Sequence, residues 1–527
     1  MTDDLQAALA SSRRMSHGEQ LARAARKHPD KVAFRFRDRQ LTFSQLDERV
    51  TRLAHALQDR GVQYGDRVAI LMMNCLEAVE SLLACCRLGA LGVPINFRLV
   101  ADEVTYLIED SGSKVILVDD TLAELAGRVR ERVPALAHCL VTSGDPARAG
   151  NGAEPYHEAV DAASAEPMNI DVPEHDPAFI MYTSGTTGRP KGAVLTHFNL
   201  LMNSFNMMTA QGVGGDDEVW LSGLPLFHIA GVGGILPYIM LAGKTVLMPS
   251  GHFDPEEVVD LLEKEQITGC YFVPSQWQQI CAVPGIEKRD LKLRRISWGA
   301  SPATPSVLKA MAETFPGVPN INAFGQTEAS PVTCLLLGDD AIRKMGSIGK
   351  PIANIELRLV DDHMNEVPRG EVGEIVYRGP TIFPGYWNRP DANEEAFRGG
   401  WFHSGDMARE DEEGFLYVVD RKKDMIISGG ENIYCAEVEA CIDGHPKVRE
   451  VAVIGVPHEK WVETPMALIV PVDAGDPPSG EEIIDYCREH IASYKKPTRV
   501  EIVDELPRNA SGKVMKFRLR ESYGGKR

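Results

Sequence analysis

The sequence predicts an α/β protein in which a large N-terminal domain of parallel or mixed sheets, covered by helices, precedes a small α+β C-terminal domain. Three observations predict this class. Segments with strand and helix patterns alternate along the first half of the chain, which is typical of parallel sheets covered by helices. The chain has 527 residues, too many for one ordinary hydrophobic core. A charged run followed by paired glycines interrupts the sequence between residues 419 and 430.

The first elements follow from hydrophobic periodicity and capping signals. Residues 42–45, Thr-Phe-Ser-Gln, resemble a capping box that opens an amphipathic helix. Residues 66–73 have the pattern of a buried strand, residues 77–87 that of a helix, and residues 114–118 that of another short strand. This succession predicts strand–helix–strand units.

Residues 221–243 carry no formal charge and are long enough to span a bilayer. They contain five glycines and two prolines, and they lack flanking Lys/Arg asymmetry. We therefore interpret them as a buried strand, loop and helix. No transmembrane segment is predicted.

The C-terminal part has its own set of elements. Strands are predicted over residues 451–455 and 466–472, and a helix over residues 481–491. The predicted domains are residues 1–419, a hinge over residues 420–424, and residues 425–527.

Composition restricts the partners. The net charge of −19 argues against nucleic acid and against an anionic membrane surface as the main partner. Residues 491–527 nevertheless hold ten Lys or Arg against four Asp or Glu, which fits either a solvated face or a phosphate-rich ligand. The ten cysteines form no Cys-x-x-Cys pair, and the N-terminus has no apolar signal. We expect reduced thiols and a cytoplasmic location.

The strongest chemical signal is residues 181–192, Met-Tyr-Thr-Ser-Gly-Thr-Thr-Gly-Arg-Pro-Lys-Gly. Glycines let backbone N–H groups approach an oxyanion, hydroxyls add donors, and a lysine adds a charge-assisted contact. The segment predicts a polyphosphate-binding loop. It is not a Walker loop, because Gly-Lys-Ser/Thr is missing.

Further motifs follow in order along the chain. They are Pro-Leu-Phe-His-Ile-Ala-Gly at 225–231, Trp-Gly-Ala-Ser-Pro at 298–302, Ala-Phe-Gly-Gln-Thr-Glu at 323–328, Gly-Trp-Phe-His-Ser-Gly-Asp at 400–406, Asp-Arg-Lys-Lys-Asp at 420–424 and Pro-Arg-Asn-Ala-Ser-Gly-Lys at 507–513. With the loop, they resemble the adenylate-forming superfamily of acyl-CoA synthetases, luciferases and nonribosomal peptide adenylation domains, over essentially the whole chain. Within it, the sequence is most similar to bacterial, particularly actinobacterial, fatty-acyl-CoA ligases.

The resemblance implies a nucleotide site made of many short segments. Its residues are Thr183, Ser184, Gly185, Thr186, Thr187, Gly188, Lys191, Gly299, Ala300, Ser301, Ala323, Phe324, Gly325, Gln326, Thr327, Asp406, Arg421 and Lys513. Catalytic roles are implied for Lys513, Glu328 and Thr183, and Glu328 is also the implied Mg²⁺ ligand, as a hard oxygen donor. Lys513 would stabilise the negative charge that develops during adenylation.

The resemblance also implies a second group of residues around the acyl group and coenzyme A. His228, Ser428, Gly429 and Gly430 form the implied gate and pantetheine path. The predicted acyl pocket consists of His228, Gly231, Gly233, Gly234, Trp298 and Gly299. Two positions depart from the family pattern. Trp298 occupies a position where glycine is more common, which predicts a reshaped acyl pocket. Val462 also occupies a position that is usually glycine.

The implied reaction has two halves, with ATP, Mg²⁺ and coenzyme A as cofactor and co-substrates. The carboxylate attacks the α-phosphate to give acyl-AMP and pyrophosphate. Coenzyme A thiolate then displaces AMP after the mobile C-terminal domain has rotated about Asp420. The expected acid is a medium- to long-chain fatty acid, and an aryl or hydroxycinnamic acid is the alternative.

Other readings remain open at this point. The enzyme could load a carrier protein instead of coenzyme A, or the chain could be a silent acyl-binding partner at a membrane. Peripheral membrane contact and a homodimer are also left open. No nucleic-acid partner is expected.

Overall fold

The structure, a computed structural model, describes residues 12–183, 189–300, 303–428, 431–459, 461–509 and 512–524. These residues fall into two compact units. One comprises residues up to 356 together with 378–395, and the other comprises residues 357–377 and those from 396 onward.

The described helices are distributed over the whole chain. They are α1 (His17–Lys27), α2 (Phe43–Asp59), α3 (Leu76–Leu88), α4 (Ala101–Ser111), α5 (Ala123–Arg132), α6 (Tyr156–Ala162), α7 (His197–Gln211), α8 (Ile229–Met240), α9 (Pro255–Lys264), α10 (Pro274–Cys281), α11 (Pro305–Thr314), α12 (Asp340–Arg343), α13 (Pro390–Ala396), α14 (Cys435–Asp443), α15 (Gly480–His490) and α16 (Lys516–Tyr523).

The strands alternate with these helices through the first unit and dominate the second. They are β1 (Val32–Phe36), β2 (Arg39–Thr42), β3 (Arg67–Leu71), β4 (Leu91–Pro94), β5 (Val115–Val118), β6 (His138–Val141), β7 (Ala153–Pro155), β8 (Pro177–Thr183), β9 (Lys191–Thr196), β10 (Val219–Ser222), β11 (Lys244–Leu247), β12 (Gly269–Tyr271), β13 (Arg295–Gly299), β14 (Asn320–Gly325), β15 (Val332–Leu337), β16 (Lys350–Pro351), β17 (Glu356–Val360), β18 (Val372–Arg378), β19 (Gly385–Tyr386), β20 (Phe402–Glu410), β21 (Leu416–Arg421), β22 (Ile426–Ser428), β23 (Glu431–Ile433), β24 (Val448–His458), β25 (Val462–Pro471) and β26 (Arg499–Ile502).

Local sequence accounts for the early elements. Thr42 accepts a hydrogen bond from the Gln45 backbone while the Gln45 side chain accepts from Thr42 N–H, so the predicted capping box opens α2. Every residue of β5 is buried, as expected for a strand covered by helices on both faces of a parallel sheet. The strand and helix expected within residues 221–243 are β10 and α8. In the described part of the chain, no helix is both long and apolar enough to cross a membrane.

The first unit contains two large sheets. The eight-stranded sheet has the order β19-β9-β8-β4-β3-β5-β6-β7, parallel from β8 to β7 and antiparallel at β9 and β19. The nine-stranded sheet has the order β16-β15-β14-β13-β12-β10-β11-β1-β2 and is parallel from β14 to β1. Both are mixed sheets, which confirms the predicted fold class.

The two faces of the nine-stranded sheet are different. Leu221, Cys270, Ile296 and Trp298 pack against α9, α10 and α11 in one hydrophobic cluster. The opposite face, which we call the acyl face, carries Trp220, Tyr271, Ser297, Gly299, Ile321 and Ala323, in the register given by the strand pairing. Helices α7 and α8 pack against the acyl face. The alternation of side chains along β13 therefore separates the core from this face.

The second unit is built on two smaller sheets. One has the order β17-β18-β20-β21. In the other, β23-β22-β25-β24, strand β26 pairs in parallel with β25. Helices α14 and α15 cover one face of this sheet, and α16 packs on the other. The strands and helix predicted over residues 451–491 are confirmed as β24, β25 and α15.

The predicted domain boundary at residue 419 differs from the division into compact units. Hairpin β20–β21 groups with the C-terminal residues, although most of it precedes residue 420. Asp420 is buried, and its carboxylate accepts hydrogen bonds from its neighbour Arg421 N–H at 2.7 Å and from Ala436 N–H at 3.3 Å. Asp420 therefore ties β21 to the first turn of α14. The hinge at this residue stays a prediction.

Candidate active site

The predicted polyphosphate loop joins β8 and β9. Residues 184–188, which include Ser184, Gly185, Thr186, Thr187 and Gly188, lie outside the described residues. The two residues that bracket them are paired across the hairpin, Thr183 opposite Lys191. The Thr183 hydroxyl donates to the Lys191 carbonyl oxygen at 3.4 Å. A threonine and a lysine thus stand together at the base of the loop.

Glu328 lies beside this hairpin. It belongs to a short 3₁₀ turn, Thr327–Ala329, and is 8% exposed. The Tyr386 hydroxyl donates to the Glu328 carboxylate at 2.9 Å. The Lys191 ammonium lies 5.2 Å from the centre of the Tyr386 ring, a cation–π contact. Tyr386 therefore links the predicted metal ligand to the predicted phosphate lysine.

Sequence reasoning missed Tyr386. Desolvation and the charge of Glu328 both raise the pKa of Tyr386. The Tyr386 hydroxyl therefore stays neutral and can donate a hydrogen bond. A signal was present in residues 384–387, Pro-Gly-Tyr-Trp, where a turn precedes two aromatic residues. Nothing in the sequence linked that segment to a glutamate that lies 58 positions earlier.

The other predicted nucleotide residues of the first unit lie at the carboxyl ends of β13 and β14. Ligands bind there in open α/β sheets. Gly299 and Ala323 are register partners, and a Cβ atom at residue 299 would overlap the Ala323 carbonyl oxygen. A Cβ atom at Gly325 would likewise overlap the Pro331 carbonyl oxygen. Both glycines are required by close backbone approach.

Residues around these strand ends show features of a ligand site. Ala300 has a φ of 65°, an uncommon backbone conformation for a residue with a side chain. The Gln326 side-chain nitrogen is buried and makes no hydrogen bond to a described residue, and Phe324 is half-buried. Ser301 lies outside the described residues. Such an unpaired amide donor fits a polar ligand group.

The second unit brings Asp406, Arg421 and Lys513 together. Asp406 and Arg421 are opposite each other on β20 and β21, and the guanidinium contacts the carboxylate at 2.7 Å. The Lys513 backbone N–H donates to the Asn509 side chain, and the Asn509 N–H donates to the Lys513 carbonyl oxygen, both at 2.8 Å. This turn fixes the backbone of Lys513. Sequence reasoning did not single out Asn509.

The electrostatics of this group favour an anionic ligand. Burial raises the pKa of Asp406, and the charges of Arg421 and Lys513 oppose that rise. Desolvation and then the charge of Arg421 lower the pKa of Lys513, while Asp406 opposes them. Desolvation, with contributions from Arg421 and Lys513, also lowers the pKa of Lys423 to about 8. Repulsion within this cationic cluster (Arg421, Lys423 and Lys513) would be relieved by phosphate.

The geometry at His228 opposes a general-base role. Its Nδ1 accepts a hydrogen bond from Ala230 N–H at 3.1 Å and so caps α8. Desolvation lowers the pKa of His228, and a neutral ring whose Nδ1 accepts must carry its proton on Nε2. Neither nitrogen is then a free proton acceptor. The gate role remains a prediction.

The sequence predicted an acyl slot along α8 because its glycines were expected to leave open space, and this reason is wrong. The expectation was that Gly231, Gly233 and Gly234 leave one side of the segment open. Instead, a Cβ atom at residue 231 would overlap the Pro225 carbonyl oxygen, and one at residue 233 would lie 2.9 Å from the Pro331 ring. At residue 234 it would lie 3.5 Å from the Trp220 indole nitrogen. Close packing of α8 explains at least the first two glycines.

Trp298 also has a different place from the one expected. Its ring is 4% exposed within the cluster formed with α9, α10 and α11, and its indole N–H donates to Asn320 at 2.7 Å. It points away from the acyl face, whereas Gly299 lies on it. Trp298 is therefore a core residue, and the expected reshaping of the acyl pocket by its ring is wrong.

The remaining predicted residues belong to the coenzyme A path. Gly429 and Gly430 lie outside the described residues. Ser428 ends β22 and is the register partner of Val462 on β25. Val462, which departs from the family pattern, has a φ of 69° and is 76% exposed. A β-branched residue in this conformation is strained, which explains why the position favours glycine.

The fold and the site together define a nucleotide-dependent α/β enzyme. The phosphate-loop hairpin and the parallel strand ends belong to the first unit, and a carboxylate and a lysine suited to ribose and phosphate belong to the second.

Comparisons with known proteins extend this class. The family model of the AMP-binding enzyme matches residues 21–387, and that of the AMP-binding enzyme C-terminal domain matches residues 437–513. The chain is 40% identical over 507 residues to a feruloyl-CoA synthase from Amycolatopsis sp, covering 95% of this chain and 98% of that protein.

Two solved structures are similar over nearly the whole chain. One is O-succinylbenzoate coenzyme A synthetase from Bacillus subtilis in complex with ATP and magnesium ion, with 32% identity, a TM-score of 0.82, and coverage of 95% and 99% of the two chains. The other is Mycobacterium tuberculosis fatty acyl CoA synthetase, with 34% identity, a TM-score of 0.76, and coverage of 97% and 98%.

The chain therefore belongs to the AMP-binding enzyme family of the adenylate-forming superfamily. It is an ATP-dependent acyl-CoA ligase, and it uses Mg²⁺ and coenzyme A.

Proposed function

We propose that this ligase activates an aromatic carboxylic acid, such as a hydroxycinnamic acid, instead of the fatty acid that the sequence predicted first. The similarity to feruloyl-CoA synthase over 95% of the chain is the observation that carries the proposal. The acyl group is then transferred to coenzyme A, and no carrier protein is required.

The packing between the acyl face and α7 and α8 supports an acid of limited length. Trp220 stacks on Tyr238 with ring centres 5.2 Å apart. Beyond them, the buried Arg295 pairs with the buried Glu218. A long alkyl chain directed along this face would have to displace an aromatic stack and an ion pair, and it would leave buried charges unpaired. A flat ring at the strand ends does not need that depth.

The first half-reaction is adenylation by residues of both units. Thr183, Lys191 and the loop between them hold the phosphates. Lys513 stabilises the charge that develops as the acid carboxylate attacks the α-phosphate, and Asp406 accepts hydrogen bonds from the ribose hydroxyls. The carboxylate needs no base, since it is already ionised.

Glu328 fits a role as the protein's ligand for Mg²⁺. Its buried carboxylate is a hard oxygen donor, and a single carboxylate suits a magnesium ion that is bound mainly by phosphate oxygens. When bound, the ion neutralises charge on the triphosphate. The Tyr386 hydroxyl orients the carboxylate for this contact.

The second half-reaction transfers the acyl group to coenzyme A. In the proposed mechanism, residues 425–527 rotate about residues 420–424 while the domain that ends at residue 419 stays in place. Ser428 and the two glycines that follow it then border the pantetheine arm. His228 acts as a neutral gate between the acyl and pantetheine paths.

A panel of acids tests the proposed substrate class. Cinnamate, 4-hydroxycinnamate, ferulate, butyrate, octanoate and palmitate are compared by kcat/KM for AMP release, and acyl-CoA is identified by mass. We expect the aromatic acids to exceed every alkyl acid by at least about tenfold, a difference of about 1.4 kcal/mol. A preference for octanoate or palmitate would refute the proposal.

A fatty acid is the second candidate. It is supported by the similarity to the fatty acyl CoA synthetase structure at 34% identity. The same panel decides between the two, because kcat/KM would then rise with alkyl chain length.

A further inference from the structure

Helix α4 carries two polar side chains, Tyr106 and Asp110, which lie one turn apart on the same face of the helix. Both contact residues on either side of residues 184–188 of the phosphate loop. The Tyr182 hydroxyl donates to the Asp110 carboxylate at 2.7 Å. The Tyr106 hydroxyl donates to the Pro190 carbonyl oxygen at 3.0 Å. One helix therefore holds the chain on both flanks of the loop.

A third segment, which follows β19, joins the same carboxylate. The Arg389 guanidinium contacts the Asp110 carboxylate and donates to the Tyr106 hydroxyl at 2.9 Å. The Trp387 indole N–H donates to the Asp110 backbone carbonyl oxygen at 3.1 Å. Trp387 directly follows Tyr386, which links the predicted metal ligand to the predicted phosphate lysine. Asp110 is therefore tied to the metal side of the site as well as to the phosphate side.

The Asp110 side chain is shielded from water, with 9% of its surface exposed. Desolvation and then the hydrogen bond to Asp110 raise the pKa of Tyr182, so its hydroxyl stays protonated and donates. The hydrogen bonds to Asp110 and Tyr106 also raise the pKa of Arg389. A charge-assisted pair in such a place keeps a fixed geometry, because the loss of one partner leaves the other unpaired and away from water.

The first unit contains a second carboxylate with the same kinds of partner. Glu80 of α3 is fully buried, and it accepts a hydrogen bond from the Tyr156 hydroxyl at 2.8 Å. The Arg49 guanidinium donates to its two oxygens at 2.5 and 3.0 Å. These partners belong to α6 and α2 instead of the loop flanks. Glu80 therefore provides a chemically matched control for Asp110.

We propose that Asp110 is a positioning residue for MgATP, and that it acts through the two flanks of the phosphate loop and through the segment that carries Tyr386. It does so without touching the phosphates or the acid. The inference rests on the phosphate site of the proposed function, in which Thr183 and Lys191 take part. Contacts to the phosphates are present in the bound substrate and in the transition state alike, so disturbing them raises the KM for MgATP more than it lowers kcat.

The test compares Asp110→Asn with Glu80→Gln in ATP–pyrophosphate exchange, with the acid that gives the highest kcat/KM in the panel. Each substitution keeps the size of the side chain and removes its charge. Tyr182→Phe and Tyr156→Phe form a second matched pair, since each removes one hydroxyl from one of the two carboxylates. The KM for MgATP, the KM for the acid and kcat are measured for each enzyme. A KM is independent of the fraction of enzyme that folds.

We expect Asp110→Asn to raise the KM for MgATP by about tenfold or more, and Tyr182→Phe by about threefold or more. The KM for the acid and kcat should change by less than about twofold. Glu80→Gln and Tyr156→Phe should keep the KM for MgATP within about twofold of the wild type. An unchanged KM for MgATP in Asp110→Asn would overturn this inference. An equal rise in Glu80→Gln, or in the KM for the acid, would overturn it as well, because it would indicate a general effect on the fold.

Two further variants separate the parts of the inference. Because Asp110 and Arg389 act as a unit, Asp110→Asn combined with Arg389→Gln should raise the KM for MgATP about as much as the worse single substitution, and multiplied effects would refute the shared role. Lys191→Ala should also raise this KM, because it removes a contact to phosphate. If Lys191→Ala left the KM unchanged, the phosphate site would be wrong, and the inference with it.

Discussion

Removing the Tyr386 hydroxyl should weaken adenylation without disturbing the fold. Tyr386→Phe keeps the ring under Lys191 but deletes the 2.9 Å hydrogen bond to Glu328. A hydrogen bond to a charged group contributes about 1.5–3 kcal/mol, so we expect a fall of about 10- to 150-fold in kcat/KM for MgATP. Tyr386→Leu also loses the cation–π contact, worth about 0.5–1 kcal/mol, and should cost about two- to fivefold more.

The assay is ATP–pyrophosphate exchange with the best acid, at subsaturating MgATP and over a series of Mg²⁺ concentrations. Tyr417 provides a matched control, because its hydroxyl donates to Asp411 at 3.3 Å and Arg409 lies 4.6 Å from its ring centre. Tyr417→Phe should exchange like the wild type. If Tyr386→Phe also did so at every Mg²⁺ concentration, the hydroxyl would not be what positions Glu328.

Three other substitutions test separate parts of the site. Lys513→Ala should lower pyrophosphate exchange by about two orders of magnitude, since a charge-stabilising donor is worth about 3–4 kcal/mol, while thioester formation from supplied acyl-AMP falls far less; equal losses would contradict its role in adenylation alone. Because the pKa of Lys423 is lowered to about 8, the lysine loses its charge as the pH rises from about 7 to about 9.5. AMP affinity measured by calorimetry should then fall up to about fivefold. The Lys423→Arg side chain stays charged and should flatten this pH dependence, and an equally steep curve in that variant would exclude Lys423 as its source. Val462→Gly should stabilise the region around β22 and β25 by about 1 kcal/mol, seen as slower hydrogen exchange there, whereas Val472→Gly, at a position without positive φ, should not; slower exchange in neither variant would argue against strain at residue 462.

The sequence predicted features that depend on local pattern. The capping box at Thr42 and the buried strand after residue 66 were correct because side-chain spacing and a single hydrogen-bond exchange define them.

Features that depend on which layer covers a strand were not predictable in this way. Trp298 and Gly299 are adjacent in the sequence, yet they face different layers, and only the packing of α9, α10 and α11 against one face shows this. Gly233 has the composition of an open slot, but its neighbour is Pro331, 98 positions along the chain, whose ring no local pattern could place.

The alternation along β13 has a consequence for how this enzyme could change its substrate. Ile296 and Trp298 pack in the core, while Ser297 and Gly299 lie on the opposite face of the sheet. Ser297 can therefore be substituted to change the acyl face while Ile296 and Trp298 keep the sheet folded, whereas Gly299 is fixed by the Ala323 carbonyl oxygen. A library that varies residues 271 and 297 together, with 296 and 298 fixed, therefore offers a short evolutionary route between ligases of different acids.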